Sequence, residues 1–360
     1  MFAGPINEKV LTVREKQVSV ANLLGGMGSM GASGLYLKIG SKLHFKMQGR
    51  VVVFDSEVVT RETMEHVLAC FLSSEETSLF HQRMAADIVH QEAGSRYRVH
   101  FGYDQTGPYG CIRVISDEIM DLVSLGLPES TQKHLRDLPR GLFLVAGPTD
   151  SGKTVTCTST LEHHNTHHEK AILSLEAPIE FVFSNSKALV FQREVGVHVP
   201  SFADGVRSAL RESLDMLYLG ECRQQDTIEE ALRAAELGHQ VITTVHADSC
   251  LSAISRLMGS FPLQEQPRIR QAIASSLAGV LYQRLLPKVG GGRIPCIESI
   301  WPNRAVRTIM RTGELSKLAS YVGPVTGGIA YQDCLKALRE TGLISPETFD
   351  AERGRSLTGH

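Results

Sequence analysis

The chain has 360 residues, more than one ordinary hydrophobic core needs, and this length predicts two domains. With 42% hydrophobic and 21% charged residues, the composition is that of a globular protein and not of a disordered or fibrous one. The formal net charge of −2 excludes a global basic field that would hold the chain on nucleic acid or on anionic lipid. We therefore expect no direct nucleic-acid partner.

The sequence also predicts a cytoplasmic location. Its amino terminus does not have the pattern of a signal peptide, because charged residues follow soon after the first apolar ones. No run of about 20 apolar residues is present that could span a bilayer. The seven cysteines are scattered singly, without a CxxC pair, which argues against a zinc site and against a disulfide framework.

Residues 1–30 give no clear pattern, and the glycine-rich stretch LLGGMGSMGASG at residues 23–34 is typical of a flexible segment. Residues 31–116 have the mixed pattern of a small α+β domain. The stretch GLYLKIGSKLHFKMQGRVVVF alternates like two strands with a turn near Gly40 and Ser41. The stretch RETMEHVLACFLSS has helical spacing of its apolar residues Met64, Val67, Leu68 and Phe71.

Two further strands in this domain carry arginines. In SRYRVHFGY the apolar Tyr97, Val99 and Phe101 alternate with the polar Arg96, Arg98 and His100, so the two sets face opposite sides of a sheet. The stretch GCIRVIS places Arg113 between apolar neighbours. A segment rich in Asp, Gly and Pro, residues 117–140, then reads as a linker.

Residues 141–360 predict an α/β domain with additional helices at its carboxy-terminal end. The apolar runs LFLVAG, KAILSLE, LDMLYLGE and QVITTVHA alternate with helical patterns. Continuous apolar runs of this kind indicate fully buried strands of a mostly parallel sheet with helices on both faces.

The first of these strands runs directly into GPTDSGKT, which satisfies the phosphate-loop pattern G-x-x-x-x-G-K-[ST]. In such a loop the backbone N–H groups surround phosphate oxygens, Lys153 reaches the β- and γ-phosphates, and the hydroxyl of Thr154 binds Mg²⁺. The sequence therefore predicts ATP and Mg²⁺ as ligands. The predicted nucleotide-binding residues of the loop are Gly147, Pro148, Thr149, Asp150, Ser151, Gly152, Lys153 and Thr154.

Asp150 is unusual in this loop, because its position often carries glycine. Aspartate tolerates left-handed backbone angles better than most residues do. An inward carboxylate would repel a triphosphate, so we expect the Asp150 side chain to point to solvent.

Three polar residues follow other predicted strands. Glu176 ends KAILSLE, Glu221 follows LDMLYLG, and His246 follows QVITTV. Ligands of open α/β sheets bind outside the carboxyl ends of the strands. Glu176 and Glu221 are therefore candidates for orienting an attacking water or for holding the metal through a water, and His246 is a candidate for sensing the γ-phosphate.

These motifs together resemble those of the secretion and pilus ATPases (the GspE/PilT-like superfamily), and most closely those of the type IV pilus retraction motors. GLFLVAGPTDSGKT resembles the Walker A segment of the family, and LSLEAPIEF resembles its Asp box. LDMLYLGECR is similar to its Walker B strand, AAELGHQVITTVHA to its His box, and AVRTIMR to a segment associated with retraction. The similarity covers roughly residues 30–350.

The resemblance implies a PAS-like amino-terminal domain, a RecA-like carboxy-terminal domain and a homohexameric ring with ATP bound between domains. It implies that Glu176, Glu221 and His246 are the catalytic residues, with His246 coupling the nucleotide state to the ring. It further implies that arginines of the amino-terminal domain reach the phosphates, here Arg96, Arg98 and Arg113. The partner would be a platform protein of a pilus or secretion machine at the inner membrane, where the ATPase would be peripheral.

Alternatives remain within and outside this branch. The DotB-like and TraJ-like ATPases of Dot/Icm-like and conjugative secretion systems also lack the four-cysteine module that assembly-type relatives carry. The chain departs from the family at Asp150, which replaces a loop glycine, and at Ala177, which replaces an Asp beside Glu176. These departures support the hypothesis of a weakly hydrolysing ring subunit that works with a paralogous ATPase.

Three weaker signals have structural explanations. The histidines of LEHHNTHHEK are expected in a solvated carboxy-terminal turn of the helix after the phosphate loop rather than in a metal site. The lone Trp301 is expected in the core. The chain after Phe349 is expected to be frayed.

Overall fold

The structure is a computed structural model that describes residues 20–47, 50–92, 94–115 and 118–358. It divides into two compact units: unit 1 ends at Asp117 and unit 2 begins at Glu118. A flexible segment is expected for residues 1–30, and residues 1–19 of it lie outside the described residues.

Unit 1 is an α+β unit built on one antiparallel sheet. Its described helices are α1 (Val20–Met30), α2 (Arg61–Phe71) and α3 (Ser74–Arg83). Its described strands are β1 (Gly34–Lys38), β2 (His44–Met47), β3 (Arg50–Val53), β4 (Ala85–Glu92), β5 (Ser95–Asp104) and β6 (Gly107–Ile115). The strand order is β3-β2-β1-β6-β5-β4.

The predicted elements of unit 1 are present, together with two strands, β3 and β4, and one helix, α3, that the sequence did not indicate. The stretch predicted as two strands forms β1, β2 and β3. Helix α2 buries the four apolar residues that its spacing indicated. The alternation in β5 places Tyr97, Val99 and Phe101 in the core.

The expectation of a flexible segment is wrong for residues 20–30, which form α1. Leu23, Leu24 and Met27 lie on one side of this helix and are buried in the core of unit 1. Glycine weakens a helix by about 1 kcal/mol relative to alanine, whereas burying a large apolar side chain stabilises by about 1.5–3 kcal/mol. The three buried side chains outweigh the three glycines, Gly25, Gly26 and Gly28, that lie within the helix.

Unit 2 contains a seven-stranded sheet. Its strands are β7 (Gly141–Ala146), β8 (Ala171–Glu176), β9 (Leu189–Glu194), β10 (Met216–Leu219), β11 (Gln240–Val245), β12 (Leu277–Pro287) and β13 (Arg293–Ile300). The described helices are α4 (Glu129–Arg136), α5 (Lys153–His167), α6 (Phe202–Ala209), α7 (Gln225–Glu236), α8 (Cys250–Gly259), α9 (Gln266–Ser276), α10 (Arg304–Thr312), α11 (Tyr331–Glu340) and α12 (Pro346–Thr358).

The sheet of unit 2 has the order β13-β12-β7-β11-β10-β8-β9, and every neighbouring pair is parallel except β12 with β13. Both of its faces are covered. Along β7, Leu142 and Leu144 join one core and Phe143 and Val145 join the other. The predicted mostly parallel sheet, with its strands buried on both faces, is therefore confirmed as part of a mixed α/β fold.

Residues 118–140 are part of the folded unit and not an open linker. They contain a 3₁₀ helix (Leu122–Leu125) and α4. Leu122, Leu127, Leu135 and Leu138 are buried in the core that also holds Phe143. The Asp, Gly and Pro residues of this stretch mark turns between its short helices, while its leucines fix it to the sheet.

The carboxy-terminal end is also more ordered than expected. Helix α12 continues to Thr358, and within it Glu352 is buried and accepts a hydrogen bond from the Tyr331 hydroxyl. Trp301 is buried, as expected, and its ring stacks on Phe143. No helix in the described part of the chain is both long and apolar enough to cross a membrane.

Candidate nucleotide-binding site

Four neighbouring parallel strands of unit 2 end at the same edge of the sheet. Ala146 of β7 is level with Val245 of β11, and Leu219 of β10 is level with Thr243 of β11 and Leu175 of β8. Neighbouring strands are about 4.8 Å apart, so groups that follow these ends gather at one edge. These groups are the loop at residues 147–154 after β7, Glu176 at the end of β8, Glu221 after β10 and His246 after β11.

The loop between β7 and α5 depends on two glycines. Gly147 has φ of +156° and Gly152 has φ of +84°, which side chains rarely allow. A Cβ atom on Gly147 would lie 2.4 Å from the Gln283 carbonyl oxygen, and one on Gly152 would lie 2.7 Å from Gln283 Nε2. Asp150 also has positive φ, +61°, and is exposed, as the sequence predicts.

Lys153 begins α5 and is held at this loop. Its Nζ donates hydrogen bonds to the carbonyl oxygens of Gly147 (3.0 Å) and Pro148 (2.7 Å). The residue is only 8% exposed, and burial lowers the pKa of its ammonium group. The amino-terminal end of α5 adds its partial positive charge at the same place. Thr154, the next residue of the helix, is half-buried.

Glu176 is a buried carboxyl group with polar neighbours. It is 2% exposed, and burial raises its pKa to about 7. Its Oε1 accepts hydrogen bonds from the Ser174 hydroxyl (2.8 Å) and from Gln192 Nε2 (3.4 Å). Its Oε2 accepts one from the backbone N–H of Glu180 (3.4 Å). These donors favour the ionised form but do not offset the desolvation.

Glu221 and His246 follow adjacent strands and are both half-buried. The segment around Glu221 is fixed to β11, because Thr244 donates through Oγ1 to the Gly220 carbonyl (2.5 Å) and accepts at its own carbonyl from Cys222 N–H (3.2 Å). The pKa of His246 is lowered, first by burial and then by the positive charge of Lys153, while Glu221 acts in the opposite direction. The His246 imidazole is therefore close enough to Lys153 and to Glu221 for both charges to act on its pKa.

The three predicted arginines lie in unit 1. Arg98 of β5 is directly opposite Arg113 of β6, and Arg96 is two residues along from Arg98 on β5, so all three are on one face of the sheet. Arg98 lies 3.9 Å from the carboxylate of Asp87, and Arg113 is exposed. Like charges directly opposite one another destabilise a sheet, so this pair is not explained by the stability of unit 1.

Several polar residues at the site are not indicated by the sequence patterns. Gln192 and Ser174 orient Glu176, and Gln283 of β12 contacts the phosphate loop. Glu298 of β13 accepts a hydrogen bond from the Cys250 N–H (2.8 Å) at the start of α8, just after His246. Gln192, Gln283 and Glu298 make these contacts with groups 16 or more residues away in sequence, which the local pattern of their strands does not indicate.

The histidine cluster at the end of α5 is only partly solvated. His163 and His167 stack with ring centroids 4.2 Å apart, and His167 is exposed. His164 is buried instead, with Nε2 3.1 Å from the Leu135 carbonyl, and burial lowers its pKa to about 3. The expectation of a solvated turn is therefore wrong for His164. Within the described residues, no group of three or more His, Cys, Asp or Glu is placed to hold a metal ion.

Comparison with known proteins identifies the family. The family described as type II/IV secretion system protein matches residues 80–311. The chain belongs to this family. It is 33% identical over 333 residues to the type IV pilus retractation ATPase PilT of Pseudomonas aeruginosa, covering 92% of this chain and 96% of that protein. A twitching motility protein of Neisseria gonorrhoeae is also 33% identical, over 80% of this chain and 78% of its own length.

Solved structures agree with this family membership. The crystal structure of the pilus retraction motor PilT with bound ADP matches with a TM-score of 0.83 at 32% identity, covering 92% of this chain and 96% of that one. The ATPase DotB of Legionella pneumophila matches with a TM-score of 0.78 at 24% identity, which reflects the fold alone. The secretion ATPases of this family are ATP-hydrolysing enzymes.

Proposed function

We propose that the chain is a hexameric ATPase motor whose hydrolysis of ATP changes the angle between its two domains and drives type IV pilus retraction, the movement behind twitching motility. Unit 2 would be a RecA-like ATPase domain and unit 1 a PAS-like domain. One observation carries the proposal: a phosphate loop with a buried lysine lies at the same sheet edge as Glu176, Glu221 and His246. The similarity to PilT over 92% of the chain supports the retraction branch.

The loop residues suit a nucleotide. The buried Ser151 hydroxyl has no hydrogen-bond partner within the described residues, and the ammonium of Lys153 is bonded to the Gly147 carbonyl of the same loop. In this proposal residues 147–154 bind the phosphates of ATP, and Lys153 neutralises their charge. Mg²⁺ prefers oxygen ligands, which the Thr154 hydroxyl and, through water, the carboxylate of Glu221 would provide. When bound, the ion would neutralise charge on the phosphate oxygens.

The chemistry asked of the chain is positioning and proton transfer. Attack of water on the γ-phosphate needs the water aligned in line with the leaving oxygen. Glu176, with a pKa near 7, is suited to accept a proton at neutral pH, since a catalytic base works best when its pKa lies near the working pH. Glu221 would orient the water or the metal-bound waters, and His246 would transmit the nucleotide state to the ring.

Unit 1 would supply the remaining positive charge. Arg96, Arg98 and Arg113 form a guanidinium cluster on one face, and a guanidinium group suits phosphate better than an ammonium group does. In a homohexamer these arginines would reach the phosphates when the domains close. The motion would act on a platform protein of the inner membrane, with the motor peripheral on the cytoplasmic side.

Release of phosphate by the purified protein, with its Lys153→Ala variant beside it, tests the enzymatic part. Steady hydrolysis by the wild type, and neither hydrolysis nor ADP binding by Lys153→Ala, is the expected result. If the wild type binds ATP but releases no phosphate, and gains activity only with a paralogous ATPase, the result would contradict the motor hypothesis. It would support the hypothesis of a weakly hydrolysing ring subunit. The replacements Asp150 and Ala177 favour that second candidate.

The biological part requires a separate experiment. Expression of the chain in a type IV piliated bacterium that lacks its retraction ATPase should restore twitching, and the Lys153→Ala variant should not. Failure to restore twitching by an active wild type, together with restored transfer in a Dot/Icm-like or conjugative strain that lacks its own ATPase, would assign the chain to type IV secretion instead.

A further inference from the structure

Gln283 is a buried polar residue directly beneath the phosphate loop. It belongs to β12, which pairs in parallel with β7, and its neighbour Tyr282 is level with Ala146 at the end of β7. The residue is 3% exposed. A buried amide group that lost its hydrogen bonds would cost stability, so its partners define its role.

Both polar atoms of the Gln283 amide are used at the loop. Nε2 donates a hydrogen bond to the Ser151 carbonyl oxygen (2.7 Å), and Oε1 accepts one from the Thr156 hydroxyl (2.8 Å). A carbonyl can only accept, which fixes the orientation of the Gln283 amide. One side chain therefore joins the phosphate loop to the second turn of α5 and to a neighbouring strand.

The bond to Ser151 determines the direction of the next N–H group. The peptide bond between Ser151 and Gly152 is trans, so its C=O and N–H point in opposite directions. With the Ser151 carbonyl held by Gln283, the Gly152 N–H is turned to the opposite side of the loop. Among the described residues, this N–H has no hydrogen-bond acceptor. It is a donor oriented by Gln283 and not used by the protein itself.

The loop is also packed closely against Gln283. The position of a Cβ on Gly147 would be 2.4 Å from the Gln283 carbonyl oxygen, and that of a Cβ on Gly152 would be 2.7 Å from its Nε2. Real Cβ atoms do not come this close to other atoms, so a side chain at either position would displace the loop from Gln283. Only glycine therefore fits at these two positions, and the loop backbone passes close to Gln283.

We propose that Gln283 is a positioning residue of the phosphate site: it sets the peptide plane whose Gly152 N–H binds a phosphate oxygen of the nucleotide, without touching the nucleotide itself. The inference rests on the proposed ATPase function. A phosphate contact made equally in the ground state and the transition state changes KM and leaves kcat unaltered. A merely structural role would lower the amount of folded, active protein, and so kcat, with KM unchanged.

Gln283→Met tests this proposal, because methionine has a similar length and no amide. One hydrogen bond to a charged group corresponds to about a tenfold change in affinity. We expect KM for ATP and the dissociation constant of Mg·ADP, measured by calorimetry, to rise about tenfold, with kcat within about twofold of the wild type.

Gln240→Met is the matched control. Gln240 is also a buried glutamine with two hydrogen bonds, donating to the Leu138 carbonyl and accepting from Lys170 Nζ (2.7 Å), but it lies at the amino-terminal end of β11. Its substitution should destabilise unit 2 to a similar extent and leave KM unchanged. Equal KM values for Gln283→Met and the wild type would overturn the proposal, as would an equal rise in KM in the Gln240 variant.

Thr156→Val provides a second variant that keeps the shape of the side chain and removes only the hydroxyl that anchors Gln283. We expect KM to rise in the same direction by about threefold, since one of the two hydrogen bonds of the glutamine remains. If Gln283→Met does not fold, this variant decides: an unchanged KM overturns the proposal. A wild type that neither binds Mg·ADP nor hydrolyses ATP would contradict the proposed function itself.

Discussion

Glu176→Gln is expected to stabilise unit 2 at alkaline pH and to have little effect at acid pH. The carboxyl group is 2% exposed, and burial raises its pKa from the ordinary value of 4.5 to about 7. Each pKa unit corresponds to about 1.4 kcal/mol, so ionising this group in the folded protein costs about 3 kcal/mol. Glutamine keeps an oxygen that can accept from Ser174 and carries no charge.

The sign follows from the direction of the shift. Below pH 4.5 the group is protonated in both the folded and the unfolded chain, and it does not alter the free energy of unfolding. Between about pH 4.5 and pH 7 the unfolded chain ionises first, so the wild type loses stability as pH rises. The variant lacks this loss, and its advantage should reach about 3 kcal/mol above pH 7.

Denaturant unfolding at a series of pH values, followed by Trp301 fluorescence, measures this difference. Trp301 is the one tryptophan of the chain and lies in unit 2, where Glu176 also lies. Glu340→Gln is a suitable control, because it removes the same charge from an exposed position of α11. The prediction is refuted if the difference in unfolding free energy between the wild type and Glu176→Gln stays constant from pH 5 to pH 8. Glu176 would then not have a raised pKa in the folded protein.

Three further outcomes are expected. Glu221→Gln should keep Mg·ADP binding but lose turnover by a factor on the order of 10² or more, measured as phosphate release; unchanged turnover would remove Glu221 from the mechanism. Arg113→Gln should lower kcat on the order of 10²-fold, because a charge that stabilises the transition state is removed. It should not lower the thermal stability of unit 1, because Arg113 lies opposite Arg98 and the two charges repel each other. A destabilised unit 1 with a normal kcat would indicate a structural role instead. Gly279→Ala should destabilise unit 2 by about 1–3 kcal/mol, because the new Cβ would lie 2.5 Å from the Trp301 ring. Gly259→Ala is the control and should not destabilise it, because no atom lies within 4 Å of the new Cβ. Equal unfolding midpoints for the two variants would contradict the close packing of Gly279 against Trp301.

The sequence by itself determined much of unit 2 and the kind of site that it carries. Continuous apolar runs identify β7, β8, β10 and β11, because a strand buried on both faces needs apolar residues at every position. Glycine and lysine spacing identifies the phosphate loop, because its backbone angles allow few other residues. The strand-end positions of Glu176, Glu221 and His246 follow directly from these strands.

Only the tertiary structure decided which distant groups meet. Gln283 is 132 residues from Ser151 and 127 from Thr156, and no local pattern encodes contacts over such separations. The glycine-rich segment that forms α1 and the segment at residues 118–140 have weak local propensity for regular structure, so the sequence alone predicts flexibility for both. Each is ordered because its apolar side chains are buried in the core of its unit, which is formed by residues distant in sequence. The periodicity of the sequence indicates which face of a helix or strand is apolar. The order and register of the strands depend on the packing of the whole unit, and they decide what that face contacts and which polar groups lie at the phosphate loop.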